Sequence, residues 1–126
     1  KYSAGYDMEA AEDCIVPAFK PGQAPTLIKT GLKAYMADDE YLMLCNRSSN
    51  PGKRGLVLAN SVGIIDSDYY NATNEGHIIT ALVNRGDKDL LIKKGDRFVQ
   101  GIFEQYFLAI EEENTNERHG GFGSTN

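Results

Sequence analysis

The sequence predicts an all-β sandwich or barrel, and three observations favour this fold class. Helical periodicity is scarce, and short apolar segments are separated by Gly, Pro, Asn and Asp turns. The first and last segments are also rich in β-branched and aromatic residues, which strands prefer. The predicted strands, in chain order, cover residues 14–18, 26–32, 41–45, 56–58, 77–84, 90–92 and 97–110.

Turn signals and one helix connect these strands. Asn-Arg-Gly-Asp at residues 84–87 and Lys-Lys-Gly-Asp at residues 93–96 predict tight turns. A short helix is predicted over residues 46–55, where Ser and Asn precede Pro51. The polar residues 111–117 predict a linker into a Gly-rich tail. We therefore divide the chain into a β domain, residues 1–112, and a flexible C-terminal arm, residues 113–126.

Length and charge limit the function classes. The 126 residues are enough for one domain. The net charge of −5 argues against a nucleic-acid polymer as partner, although a local cluster of Arg and Lys still permits a small phosphorylated ligand. No apolar run approaches the roughly 18 residues that would indicate a membrane span. Because the chain begins at Lys1 without Met, we expect an N-terminal piece before it, and a targeting segment stays open.

The cysteines and histidines do not predict a metal site. Cys14 and Cys45 lack metal or redox spacing, so we expect buried thiols in a reducing cytoplasm, with a disulfide as the less favoured alternative. Neither His77 nor His119 has a second ligand at metal spacing, so no structural zinc is predicted. The expected location is the cytoplasm of a bacterium or of a phage's host.

The tail carries groups suited to a nucleotide. Arg118 offers a planar fork to phosphate oxygens. Gly-rich backbone can direct N–H groups at anions, Phe122 can stack on a base, and Ser124 and Thr125 add hydroxyls. The alternative is an ordinary disordered terminus.

A second segment repeats the phosphate chemistry. Arg47, Ser48 and Ser49 lie at the predicted helix start, where charge, hydroxyls and free N–H groups can meet an oxyanion. Taken alone, an N-cap beside a surface Arg is the better explanation of this segment. In a later turn, Gln100 can donate to a phosphate oxygen and Asp96 can hold an Arg, although by itself that segment is a generic hairpin.

A third segment places a carboxylate after an apolar pair. Ile64 and Ile65 are expected to be buried at the start of a hairpin, so that Asp66 emerges from an apolar wall that suits a general base. Asp68 lies on the same face if the segment is extended. A structural Asp in a turn is the alternative for this segment alone.

Five segments in this order resemble the motifs of trimeric dUTPases, the deoxyuridine 5′-triphosphate nucleotidohydrolases, and the resemblance runs from residue 4 to residue 125. The segments are A-G-Y-D (4–7), R-S-S-x-x-x-K-x-G-L-x-L-x-N (47–60), G-I-I-D-S-D-Y (63–69), G-D-R-F-V-Q (95–100) and R-H-G-G-F-G-S-T (118–125). The resemblance implies a jelly-roll-like β domain that forms a homotrimer with active sites at subunit interfaces. It also implies Mg²⁺ as cofactor and hydrolysis of dUTP to dUMP and pyrophosphate, which limits uracil in DNA and supplies dUMP for thymidylate synthesis.

The resemblance also assigns roles to residues. Asp66 matches the base that activates the attacking water, Asn60 a polar residue near that water, and Tyr69 the ring beneath the deoxyribose. Backbone from Gly63 through Ile65 to Tyr69 would read uracil, with Phe122 completing this part of the site. The phosphate-binding matches are Arg47, Ser48, Ser49, Gln100, Arg118, Ser124 and Thr125. Asp7 matches a carboxylate that meets Mg²⁺ only through water, and Asp96 resembles a structural partner of Arg47.

The sequence departs from the family pattern in three places. Residues 70–75 intervene before Gly76, where the family commonly has one residue, and we interpret them as a longer hairpin tip. One residue fewer separates Arg118 from the Gly-Gly-Phe step, and Asn126 stands where a Gly is usual.

Two other functions stay open at this point. The first is a dCTP deaminase of the same superfamily, but those relatives use a Glu in this region and lack the Phe-bearing arm. The second is a nucleotide-sensing protein that binds a regulatory partner, for which the tip at residues 70–75 could serve.

Overall fold

Nine antiparallel strands form three sheets in the computed structural model, which describes residues 2–110 and residue 120. The predicted all-β class is confirmed. The strands are β1 (Tyr6–Glu9), β2 (Cys14–Val16), β3 (Thr26–Lys29), β4 (Glu40–Asn46), β5 (Leu56–Leu58), β6 (Gly63–Asp66), β7 (Ile79–Asn84), β8 (Leu90–Ile92) and β9 (Arg97–Gln105). A four-residue helix, α1 (Asn50–Lys53), and a 3₁₀ helix, Ser67–Asn71, lie between strands.

The sheets enclose one apolar core. The four-stranded sheet has the order β1-β9-β4-β6, the three-stranded sheet the order β3-β7-β5, and β2 pairs with β8. Strands β4 and β7 bury alternate side chains, as expected where one face of a sheet meets the core. All three sheets contribute fully buried side chains, among them Val16, Ile28, Leu42, Leu82, Ile92 and Phe98.

The predicted strand positions are largely confirmed, but β1 and β6 were missed. Residues 56–58 and 90–92 form strands at the predicted bounds, and the other five predicted strands are present with shifted ends. Strand β1 has only Met8 buried among its four residues, so it carries no apolar run that would indicate a strand. It forms by pairing with the edge of β9, from Tyr6 opposite Gly101 to Glu9 opposite Arg97.

The helix predicted over residues 46–55 is much shorter. Asn46 still belongs to β4, where it lies opposite Val99. The helix can begin only after that strand ends, and Pro51 in its first turn suits a helix start. Gly55, with φ +66°, ends it.

The hairpin predicted around residues 70–75 is wrong. Strand β6 pairs with β4 in the four-stranded sheet, whereas β7 lies in the three-stranded sheet. The 3₁₀ helix and the turns after it therefore carry the chain from one sheet to the other. As a consequence, Asp68 lies in a 3₁₀ turn and not on an extended face with Asp66.

The cysteines are free but only half-buried, which corrects the expectation of buried thiols. Burial still raises the pKa of both the Cys14 and the Cys45 thiol, and the carboxylates of Glu12 and Glu104 respectively add to it. None of the helices within the described ranges has the length and apolar character to cross a bilayer.

Candidate active site

A cationic cluster forms where β1, β9 and the end of β4 meet. The Arg47 Nε donates to Asp7 Oδ1 at 3.0 Å, and Arg47 Nη1 donates to the Arg97 carbonyl at 3.2 Å. The second Asp7 oxygen lies 3.8 Å from Arg97 Nη1. Within the described residues, these bonds occupy two of the five guanidinium N–H groups of Arg47, and the other three can face an external anion. We call Asp7, Arg47, Arg97 and Gln100 the Arg47 cluster.

Gln100 joins this cluster through strand pairing. It lies opposite Asp7 on β1 and opposite Cys45 on β4. Its Nε2 donates to the Asn46 carbonyl at 3.0 Å. A Cβ on Gly5 would overlap the Gln100 side-chain oxygen, so glycine at that position leaves room for the amide.

Ser48 and Ser49 follow Arg47 at the start of α1. Ser49 is the N-cap residue, but its side chain makes no capping hydrogen bond. The simple N-cap explanation of this segment is therefore not supported. In the described part of the chain, neither hydroxyl has a hydrogen bond, so both can meet a phosphate oxygen beside Arg47.

Asp96 does not hold Arg47, which corrects the expected pairing. Its Oδ2 accepts from the Lys93 N–H at 3.0 Å, and its own N–H donates to the Lys93 carbonyl at 2.9 Å. These bonds close the predicted turn at residues 93–96 and occupy the carboxylate there. The partner of Arg47 is Asp7 on the neighbouring strand, which linear spacing alone could not indicate.

Among the site residues predicted between positions 60 and 69, Asp66 lines an open cleft of about 250 Å³, together with Tyr41, Ile64 and Tyr106. Asp66 is half-buried at the end of the edge strand β6, opposite Tyr41 on β4. The Tyr41 hydroxyl donates to Glu104 at 2.7 Å, and this bond, followed by desolvation, raises the pKa of Tyr41. The cleft therefore sets one carboxylate against two aromatic rings, a setting suited to a general base.

Ile64 is not buried as expected, because it is 52% exposed on the outer face of β6. Ile65 packs on the core instead. Gly63 lies opposite Leu44, and a Cβ there would lie 3.2 Å from the Leu44 side chain, so glycine permits the close approach of β6 to β4. Asn60 is exposed in the preceding turn, where its carbonyl accepts from the Val62 N–H at 2.7 Å.

Tyr69 lies in the 3₁₀ helix and is 9% exposed. Its hydroxyl donates to the His77 carbonyl at 2.8 Å and accepts from Asn74 Nδ2 at 2.7 Å. Asn74 was not identified from the sequence, because its contact depends on how the chain turns between the sheets.

The Arg47 cluster and the Asp66 cleft lie at opposite ends of β4. Asp66 is opposite Tyr41 near its start, and Arg47 follows its last residue. Tyr41 and Arg47 are six residue steps apart along the strand, or about 20 Å at 3.3 Å per step. Within one chain, the structure does not bring Asp66 and Arg47 together.

The tail residues lie outside the described residues. Arg118, Phe122, Ser124 and Thr125 therefore stay predictions, as does the division of the chain at residue 112. Within residues 2–110 and 120, no group of three or more His, Cys, Asp or Glu could hold a metal ion. The Asp7 carboxylate is partly exposed and has one weakly engaged oxygen, which fits a contact to Mg²⁺ through water, since Mg²⁺ usually keeps several waters and binds substrate phosphates.

An all-β domain with a guanidinium and hydroxyl cluster and a separate carboxylate cleft has the features of a nucleotide hydrolase. The sequence model of the dUTPase family matches residues 1–126, and the chain belongs to that family.

Several relatives agree with this assignment. The chain is 53% identical to deoxyuridine 5′-triphosphate nucleotidohydrolase of Lactococcus lactis over 128 residues, covering 99% of this chain and 83% of the relative. It is 38% identical to the enzyme of the same name from Janthinobacterium, covering 98% and 82%. The crystal structure of dUTPase from Streptococcus mutans superposes with a TM-score of 0.79 at 47% identity, covering 86% of this chain and 82% of that one.

Proposed function

We propose that this protein hydrolyses dUTP to dUMP and pyrophosphate, at active sites shared between subunits of a homotrimer. The proposal of a shared site rests on the separation of Asp66 from Arg47 along β4. A base at one end and a phosphate cluster at the other can act on one nucleotide if they come from different copies. Family membership disfavours dCTP deamination. A regulatory partner at residues 70–75 stays a prediction.

The reaction needs a base, an in-line water and stabilisation of the leaving pyrophosphate. Asp66 accepts a proton from water as its oxygen bonds to the α-phosphorus and the bond from phosphorus to the bridging oxygen breaks. Asn60 orients that water. Arg47, with the hydroxyls of Ser48 and Ser49, stabilises negative charge on the phosphates. Asp7 would hold Mg²⁺ through water when the ion is bound with the triphosphate, and the ion would supply further charge neutralisation.

Selection of the base and the sugar comes from residues 63–69, at the Asp66 end of β4. Backbone from Gly63 to Ile65 reads the uracil edge, since a mismatched base would leave buried polar groups unpaired. The Tyr69 ring lies against the deoxyribose and leaves no volume for a 2′-hydroxyl. Gln100 adds a donor for the phosphates, and Arg118, Phe122, Ser124 and Thr125 complete the site from the arm.

Replacing Asp66 tests the base. Asp66→Asn keeps the shape of the side chain but cannot accept the proton, so we expect kcat for dUTP to fall by at least ~100-fold while the Kd stays within about tenfold. Pyrophosphate release and calorimetric binding measure the two quantities. Asp87→Asn, at an exposed turn carboxylate, is the matched control and should retain full turnover. Near-normal turnover of Asp66→Asn would remove Asp66 from this role.

A further inference from the structure

The residues between Tyr69 and Gly76 form a hydrogen-bond network around the Tyr69 hydroxyl. That hydroxyl donates to the His77 carbonyl at 2.8 Å. Asn74 Nδ2 donates to the hydroxyl at 2.7 Å and makes a longer contact, 3.4 Å, to the same carbonyl. Asn74 belongs to residues 70–75, the stretch in which this sequence departs from the family motif.

The direction of each bond in the network is determined. Asn74 Oδ1 accepts from the Gly76 N–H at 3.2 Å, and because an N–H can only donate, the amide nitrogen must face Tyr69. The Tyr69 hydroxyl, which accepts from that nitrogen, is then free to donate to His77. The bonds polarise one another in the same sense, so each strengthens the next.

Tight backbone turns hold Asn74 in place. The Ala72 N–H donates to the Tyr69 carbonyl at 3.0 Å, and the Glu75 N–H donates to the Ala72 carbonyl at 2.9 Å. Gly76 has φ +70°, and a Cβ there would lie 2.6 Å from the Tyr70 carbonyl oxygen, so the turn requires glycine. From the other side, the Gly31 N–H donates to His77 Nε2 at 2.9 Å.

We propose that Asn74 is a positioning residue that fixes the tilt of the Tyr69 ring and thereby sets how strictly the site excludes ribonucleotides. This inference rests on the proposed function, which places the deoxyribose against Tyr69. Steric exclusion of one hydroxyl works only if the excluding ring cannot tilt away. Asn74 and His77 restrain the ring at its hydroxyl end, the point farthest from the backbone and the most effective place to resist tilting.

The test compares dUTP and UTP on the same preparations. We expect Asn74→Ala to lower the ratio of kcat/KM for dUTP over that for UTP by about tenfold, with kcat for dUTP changed less than about threefold. A merely destabilised protein would lose activity on both substrates equally and leave the ratio unchanged. Asn71→Ala is the matched control, since Asn71 is exposed in the same segment and its side chain makes no hydrogen bond to the described residues.

Tyr69→Phe removes the hydroxyl that accepts the hydrogen bond from Asn74 and keeps the ring. It should lower the ratio at least as much as Asn74→Ala does, because it also removes the bond to the His77 carbonyl. The double variant should lower the ratio no further than Tyr69→Phe alone, because the Asn74 amide then has no hydroxyl to restrain. Additive effects, or an unchanged ratio in either single variant, would overturn the proposal. Tyr69→Ala distinguishes a failure of the sugar-facing role of Tyr69 from a failure of the positioning role of Asn74. If it leaves the ratio unchanged, the sugar-facing role of Tyr69 fails. If it alone lowers the ratio, only the role of Asn74 fails.

Discussion

At the scale of single residues, the contact between Asp7 and Arg47 fixes which N–H groups of the Arg47 cluster can reach a ligand. Arg47 leaves β4 on a chain segment that could direct its side chain in several ways. Asp7 occupies the Nε and the Arg97 carbonyl occupies Nη1, so the remaining N–H groups have a fixed direction. Both side chains of the ion pair are partly exposed, so the pair contributes little to stability. Its effect should therefore appear in catalysis.

Asp7→Ala should lower kcat/KM for dUTP by at least about tenfold, or ~1.4 kcal/mol of transition-state stabilisation. The melting temperature should change little, because a solvent-screened ion pair contributes at most about 1 kcal/mol. Glu12→Ala is the control, since it removes another surface carboxylate, more exposed than Asp7, that lies 3.9 Å from Lys29. A large fall in melting temperature that accounts for the lost activity would instead assign Asp7 a structural role.

At the scale of elements, buried amides join strands that the sequence does not connect. Asn84, at the end of β7, is 1% exposed. Its Nδ2 donates to the Val16 carbonyl on β2 at 3.0 Å and to the Lys88 carbonyl at 2.7 Å. Its Oδ1 accepts from the Gly86 N–H at 2.9 Å. One side chain thus links two sheets and closes the predicted turn at residues 84–87.

Asn84→Ala should lower the free energy of unfolding by about 2 kcal/mol or more, because buried carbonyl and N–H groups lose their partners. Urea denaturation at a fixed subunit concentration measures this, since the stability of an oligomer depends on concentration. Asn71→Ala, at an exposed position, should change the free energy by less than about 0.5 kcal/mol. Equal effects of the two substitutions would show that the Asn84 network adds no stability.

Some elements of this fold leave a pattern in the sequence and others do not. Strands with apolar alternation, such as β4 and β7, could be predicted because the pattern reports burial on one face. Strand β1 could not, because a polar edge strand forms through pairing with β9 and leaves no pattern of its own. The motif order predicted candidate site residues, but not their contacts in the fold. Asp7 with Arg47 and Asn74 with Tyr69 are contacts that depend on the fold.

At the scale of the whole molecule, the outer face of the four-stranded sheet is unusually apolar for a free surface. Met43 on β4 lies opposite Ile64 on β6 and Ile102 on β9, on the face turned away from the core, and none of the three is buried. Exposed apolar groups near one another are typical of an interaction surface. This face lies between the Arg47 cluster and the Asp66 cleft, where a second copy would bring the two together.

Subunit mixing tests that arrangement directly. Asp66→Asn and Arg47→Ala should each be nearly inactive alone, because every site lacks either the base or a phosphate contact. In trimers reassembled from an equal mixture, a site is intact when an Arg47→Ala subunit supplies Asp66 and an Asp66→Asn subunit supplies Arg47. Random assembly makes about a quarter of the sites intact, so about a quarter of the parent activity should return. A mixture of Asp66→Asn with Asp66→Ala is the control and should recover none. If the first mixture also stays inactive while light scattering shows mixed trimers, both residues must serve a site within one chain.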